Sequence, residues 1–237
     1  QRVDDLTRVV AALEVTTPIV SLAHDWGGPI SLGWVENVIR SGEHQIAGLI
    51  LLNTAVHQPK EFNSPAIIRL ARARGLLAPV TEYSQGFVLA TRILSGKKMS
   101  RDVAIGFRAP YRKRESRKAI HGFVADIPFE EDHVSRAPLD HIAESLNLLC
   151  DTPILMCWGP NDPVFSDLYL RDLKERLPHA VVHRYEGASH LVSEDAPTLV
   201  GDIFDWIGSP SGTQSTFSSE SDSDVIDLGA AMREQSS

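Results

Sequence analysis

The chain has 237 residues, 43% of them hydrophobic, enough to bury a sizeable core in one large α/β domain or in a core that carries an insertion. Its net charge of −8 offers no basic footprint for nucleic acid or an anionic membrane surface, and no apolar run approaches the roughly 20 residues of a membrane span. Cys150 and Cys157 have neither a disulfide-framework nor a metal-ligand spacing, and no secretory leader is visible, so a cytoplasmic protein without metal or cofactor is expected.

Val3, Leu6, Val9, Val10 and Leu13 recur at helical spacing and predict a helix over 3–14. The β-branched run beginning at Pro18 predicts a strand over 18–23, followed by a helix over 28–41 and a second buried strand over 46–52. Apolar runs with little alternation, separated by helices, imply a parallel sheet covered on both faces. From about 58 to 140 strand-like runs vanish, and helical segments rich in Arg, Lys and Ala appear, broken near Pro65, Pro79, Pro110 and Pro128. This block reads as a helical cap. Its short basic clusters, Arg69, Arg72 and Arg74, and Tyr111 to Arg114, read as solvated helix faces. The βα rhythm then returns with a helix over 142–149, a strand over 153–158, a helix over 166–177, a strand over 180–185 and a closing helix over 195–207. The expected division is therefore core over 1–57 and 141–208, cap over 58–140, and a flexible tail over 209–237. That tail holds nine serines with Glu220, Asp222 and Asp224, too little apolar surface to offset the entropy of ordering. The chain opens directly into helix periodicity without an initiator Met, so natural sequence is expected to precede it.

The most informative stretch is Ala23-His24-Asp25-Trp26-Gly27-Gly28, at the junction of the first strand and the following helix. An acidic residue with small residues two places either side has the spacing of a nucleophile elbow. Ala23 and Gly27 are expected to leave room for neighbouring chain at the sharp turn. A carboxylate nucleophile forms an ester with a substrate carbon, which suits alkyl halides, epoxides and strained lactones. An Asp here could also simply cap the helix. Two further polar groups follow strands: Asp162, in Gly159-Pro160-Asn161-Asp162-Pro163, and His190, in Glu186-Gly187-Ala188-Ser189-His190. Loops at the carboxyl ends of parallel strands are where α/β sheets hold ligands. The order Asp25, Asp162, His190 is nucleophile, acid, histidine, with Asp162 orienting His190.

These residues resemble the haloalkane dehalogenase and epoxide hydrolase branch of the α/β-hydrolase family over roughly residues 1–207. His24-Asp25-Trp26-Gly27-Gly28-Pro29 matches that branch's elbow, and the Asp162 and His190 loops match its acid and base loops. The resemblance implies an α/β-hydrolase fold whose first strands and one oxyanion donor lie outside this chain. It gives Trp26, through its backbone N–H, and His24 roles at the substrate. A second halide-holding Trp is missing from 58–140, and Tyr83 and Tyr111 are the cap tyrosines that could serve a leaving oxygen, Tyr111 being the chosen candidate. Within the branch, the elbow together with Val124 to Phe129 and Gly159 to Phe165 is similar to the β-lactone decarboxylases of bacterial long-chain olefin biosynthesis. That implies a cis-β-lactone with long alkyl chains as substrate and a fused or associated β-lactone synthetase as partner. Cap residues Ile67, Ile68, Leu70, Leu76, Leu77, Phe87, Val88, Leu89, Ile93 and Leu94 could line its channel. The alternatives are a dehalogenase or epoxide hydrolase working through an alkyl ester, and an inactive interaction module of a fused synthetase.

Overall fold

The computed structural model describes residues 1–57, 69, 76–130 and 132–209. Four strands, β1 (Ile19–His24), β2 (Ile46–Leu52), β3 (Ile154–Trp158) and β4 (Val181–Arg184), lie side by side in chain order, every pair parallel. One row across the sheet runs Leu22, Ile50, Leu155, Val181. The helices among the described residues are α1 (Arg2–Ala12), α2 (Gly27–Ser41), α3 (Gly86–Ala90), α4 (Arg101–Arg108), α5 (Arg114–Ala125), α6 (Arg136–Glu144), α7 (Asp167–Arg176), α8 (Val192–Asp195) and α9 (Leu199–Ile207).

Successive side chains of a strand point to opposite faces, and both faces of the central strands β2 and β3 are covered, which is why their apolar runs do not alternate. Leu49, Leu51, Ile154, Met156 and Trp158 pack with Leu32, Trp34 and Val35 of α2 and Leu173 of α7. Ile50, Leu52, Leu155 and Cys157 pack with Val192, Leu199, Ile203 and Trp206 on the opposite side. Full burial of each such aliphatic side chain contributes roughly 1.5–3 kcal/mol. The two layers make a platform whose carboxyl edge carries the loops that follow β1, β2, β3 and β4.

The four predicted strands, the helix over 28–41 and the helix over 166–177 agree with the structure to within one residue at each end. Three helices differ. The expected helix over 142–149 begins instead at Arg136 and tightens into a 3₁₀ turn over Ser145–Leu149. Pro138 falls in its first turn, where an N–H would have no partner within the helix, so proline does not block it. The expected closing helix over 195–207 is two helices, α8 and α9, because Pro197 forces Ala196 out of helical geometry, to φ −108° and ψ 95°. On α1, Val3, Leu6 and Val10 pack against the core, whereas Val9 and Leu13 face solvent; only one stripe meets α2.

Between β2 and β3 the regular elements among the described residues are all helices or helical turns. A π turn over Pro79–Tyr83 leads into α3, and a 3₁₀ turn over Thr91–Leu94 precedes α4; a second, over Ala109–Tyr111, precedes α5. Pro79 and Pro110 lie inside the starts of these turns rather than ending helices. The buried Arg117 of α5 ties three segments together, donating to the carbonyls of Glu82, Tyr111 and Arg112 at 2.8, 3.0 and 2.9 Å. The basic cluster at its start is partly engaged: Arg114 donates to Glu82 and lies over the Tyr83 ring. The expectations placed on Pro65, Ile67, Ile68, Leu70, Arg72, Arg74 and the tail from 210 fall outside the described residues. Among the described residues no helix is long and apolar enough to cross a membrane.

Candidate active site

β1 ends at His24 and α2 begins at Gly27, so Asp25 and Trp26 make the turn between them. Asp25 has φ +52°, in the left-handed region that residues with a side chain seldom enter. Its backbone is held from both sides: the N–H donates to the Asn53 carbonyl at 3.2 Å, and the carbonyl accepts from Gly28 N–H at 3.0 Å and Thr54 Oγ1 at 2.6 Å. The close approach that requires glycine is at Gly28. A Cβ there would lie 1.9 Å from Thr54 Oγ1, whereas one on Gly27 would meet only the Ala23 Cβ at 3.7 Å, an ordinary contact. The expectation that Gly27 makes the room is thus corrected: the first turn of α2 leans on the end of β2, and Gly28 permits it.

Asp162 follows β3 and is buried. Its Oδ1 accepts the Val164 N–H at 2.7 Å, and its Oδ2 accepts from His190 Nδ1 at 2.9 Å and from Asn53 Nδ2 at 3.0 Å. His190, in the loop after β4, turns its other ring nitrogen to Asp25, with Nε2 3.7 Å from Oδ2. That gap is longer than a hydrogen bond, so Asp25 acts on the ring chiefly as a nearby charge. The structure therefore brings Asp25, His190 and Asp162 into one line. Burial opposes charge on His190, but the hydrogen bond to Asp162 and the approach of Asp25 outweigh it and raise its pKa to about 9.

Asn53 was not among the expected site residues, yet it supports the whole arrangement. Completely buried and at φ +24°, it donates to the Gly159 carbonyl at 3.0 Å and accepts the Gly159 N–H at 2.7 Å while its amide holds Asp162. The available signal was its place directly after the apolar strand β2, the same criterion that selects Asp162 and His190.

His24 donates from Nε2 to the His190 carbonyl at 2.8 Å, its ring 4.8 Å from the His190 ring. Burial, then the charge on His190, lowers its pKa, so it stays neutral beside a cationic neighbour. His24, Asp25, Trp26, Tyr111 and His190 all line one cavity of about 490 Å³, mid-range for a small-molecule site. Its walls are otherwise mainly apolar, with Phe87, Leu94, Ile120, Phe123, Phe129 and Phe165 prominent. Of the cap residues expected to line a channel, Phe87 and Leu94 do so, while Leu77 lies outside the cavity, Leu76, Leu89 and Ile93 are exposed and Val88 is buried elsewhere. Tyr83 is also outside the cavity, its hydroxyl accepting from Arg114 at 2.8 Å. Trp34, Trp158 and Trp206 lie in the core, so among the described residues Trp26 is the one tryptophan on the cavity wall.

Residues 3–197 match the family model described as alpha/beta hydrolase fold. The chain belongs to the α/β-hydrolase fold family. Within it, the chain is similar to the cis-3-alkyl-4-alkyloxetan-2-one decarboxylase of Shewanella oneidensis, 30% identical over 198 residues, covering 82% of this chain and 61% of that protein. The decarboxylase of the same name from Xanthomonas campestris is 31% identical over 199 residues, covering 82% and 64%. This α/β-hydrolase chain therefore spans somewhat under two thirds of the length of the curated relatives it matches. Among solved structures, the haloalkane dehalogenase DatA from Agrobacterium tumefaciens shares the fold with a TM-score of 0.72 at 15% identity, over 85% of this chain and 70% of that one.

Proposed function

We propose that this chain carries the catalytic groups of a β-lactone decarboxylase that converts cis-3,4-dialkyl-β-lactones to cis-alkenes and CO₂. The observation that carries this reading is its 30% and 31% identity to two cis-3-alkyl-4-alkyloxetan-2-one decarboxylases along 82% of its length. Asp25 is the nucleophile: its strained backbone presents the carboxylate to an apolar cavity suited to alkyl chains. Attack opens the strained ring and forms an ester to Asp25. Expulsion of CO₂ then forms the alkene and returns the carboxylate.

No water is consumed in that sequence, so His190 need not act as a base. Held charged between Asp162 and Asp25, it steadies negative charge as it moves between Asp25 and the departing carboxylate. Asp162 orients His190, the Trp26 N–H offers a donor beside the nucleophile, and His24 and Tyr111 face the bound ring. The partner this reading calls for is the synthetase that makes the lactone, with residues 209–237 as the tether and the cytoplasm as the compartment.

A haloalkane dehalogenase or epoxide hydrolase is the second reading, favoured by Trp26 and Tyr111 on the cavity wall. In it His190 must lose its proton to activate water that hydrolyses the Asp25 ester. The complete protein should be given a cis-β-lactone, a 1-haloalkane and an epoxide side by side, with Asp25→Ala and His190→Ala variants. Alkene and CO₂ from the lactone, lost in Asp25→Ala, support the decarboxylase. A stable alkyl adduct on Asp25 of His190→Ala after exposure to the haloalkane, found by mass spectrometry, selects the second reading.

A further inference from the structure

We propose that Asp195 is a positioning residue that joins the helical insertion between β2 and β3 to the loop carrying His190, so that the reach of His190 toward Asp25 is set in part from that insertion. Asp195 closes α8 and is 2% exposed. Its Oδ1 accepts from the Ser95 hydroxyl at 2.6 Å and the Lys97 N–H at 3.1 Å. Its Oδ2 accepts from the Gly96 N–H at 2.7 Å and the Ser189 N–H at 2.9 Å. Three donors thus come from the insertion, and the fourth from the residue preceding His190. The Lys97 ammonium adds a bond to the Asp195 carbonyl.

The two segments touch so closely that a Cβ on Gly96 would lie 2.5 Å from the Gly187 carbonyl oxygen. One residue before Ser95 in the chain, the Leu94 carbonyl accepts the His190 N–H at 3.1 Å, and Leu94 also lines the cavity. The other side of the same residue's backbone is held by His24, which donates to the His190 carbonyl. His190 is therefore suspended between β1 and the insertion. A buried carboxylate with four donors is a strong fixed point, because removing it leaves those donors without an acceptor. A displacement of the Leu94 backbone would pull on its hydrogen bond to the His190 peptide.

This role for Asp195 rests on the reading of His190 as part of the reacting site, and its test is readable without turnover. It is a titration of the His190 imidazole by NMR in the full chain. Asp195→Asn keeps the size but removes the charge and two acceptor sites. Ser95→Ala deletes one donor on the insertion side and leaves the contact with Ser189. Asp25, Asp162 and His24, the titratable groups that face His190, are unchanged in both. The expected result is a midpoint lower by about one pH unit or more in Asp195→Asn and a smaller fall in Ser95→Ala. With an active substrate, kcat should drop roughly 10- to 100-fold, with KM little changed, as for a displaced catalytic group.

If both variants melt at lower temperature but His190 titrates as in the parent, Asp195 only stabilises the fold and the proposal is overturned. Should Asp195→Asn fail to fold, the direction in which the Ser95→Ala midpoint moves decides. A parent protein inactive on every candidate substrate sinks the functional reading but leaves the titration result to stand.

Discussion

His190 is the residue at which structure turns into a pH dependence. Its pKa is raised from the ordinary 6.5 to about 9, because Asp162 and Asp25 outweigh the cost of burial. A group whose folded pKa is raised contributes its stability in full below its unfolded pKa and loses it as pH rises through the folded one. Resistance to urea should therefore decline between about pH 6.5 and pH 9, by about 1.4 kcal/mol for each pH unit that separates the folded and unfolded midpoints. A His190→Gln variant should lose that slope, measured as the difference between the two proteins across the window. Persistence of the slope in the variant would show that other groups produce it. The same titration separates the two chemical readings: a cationic role loses rate above about pH 9, while a base that must be neutral gains rate on the way there. His24 adds an acid limb of opposite sign. Its lowered pKa means that protonation below its unfolded value favours the unfolded chain.

At the scale of elements, the elbow is made where α2 meets the end of β2. Gly28→Ala drives a methyl group into Thr54, and overpacking of this kind costs about 1–3 kcal/mol, on top of moving Asp25 through the Thr54 bond to its carbonyl. Gly27→Ala meets only an ordinary contact, and should be neutral or stabilising by up to about 1 kcal/mol because alanine loses less entropy in a helix. Melting temperatures of the two variants check this pair. Equal losses at both positions would mean that the turn itself, rather than Thr54, demands glycine. The elbow was legible from its spacing alone, but which of its two glycines matters was not. That depends on Thr54, just past the end of β2, which approaches the first turn of α2 in a way that no local pattern encodes. The break between α8 and α9 is the reverse case, since Pro197 was visible in the chain and its effect on Ala196 is local.

Across the whole molecule, β1 is an outer strand of the sheet, and among the described residues thirteen large apolar side chains stay exposed beside the well-filled layers. Leu22 on β1 is 54% exposed, and Phe204 on α9 is 55% exposed. Exposed apolar surface and an outer strand together favour self-association. Leu22→Lys with Phe204→Glu should move the 237-residue chain toward monomer in sedimentation at rising concentration, with an unchanged melting temperature. Association that is unaltered would place the contact on another surface.

What the amino-acid sequence determined by itself was what short-range physics controls. Buried strands without alternation, helices between them and polar residues at strand ends sufficed to mark the fold and to single out Asp25, Asp162 and His190. What only the tertiary structure decided was which distant groups complete those residues: Asn53 holding Asp162, Thr54 behind Asp25, Leu94 at the peptide of His190, and the Ser95–Lys97 segment against Asp195. Each of these contacts joins positions some 30 to 110 residues apart or crosses from the insertion to the core. A buried polar group must find a partner, but the sequence states only that need. The partner is chosen when the sheet order and the path of the insertion bring two loops to the same edge.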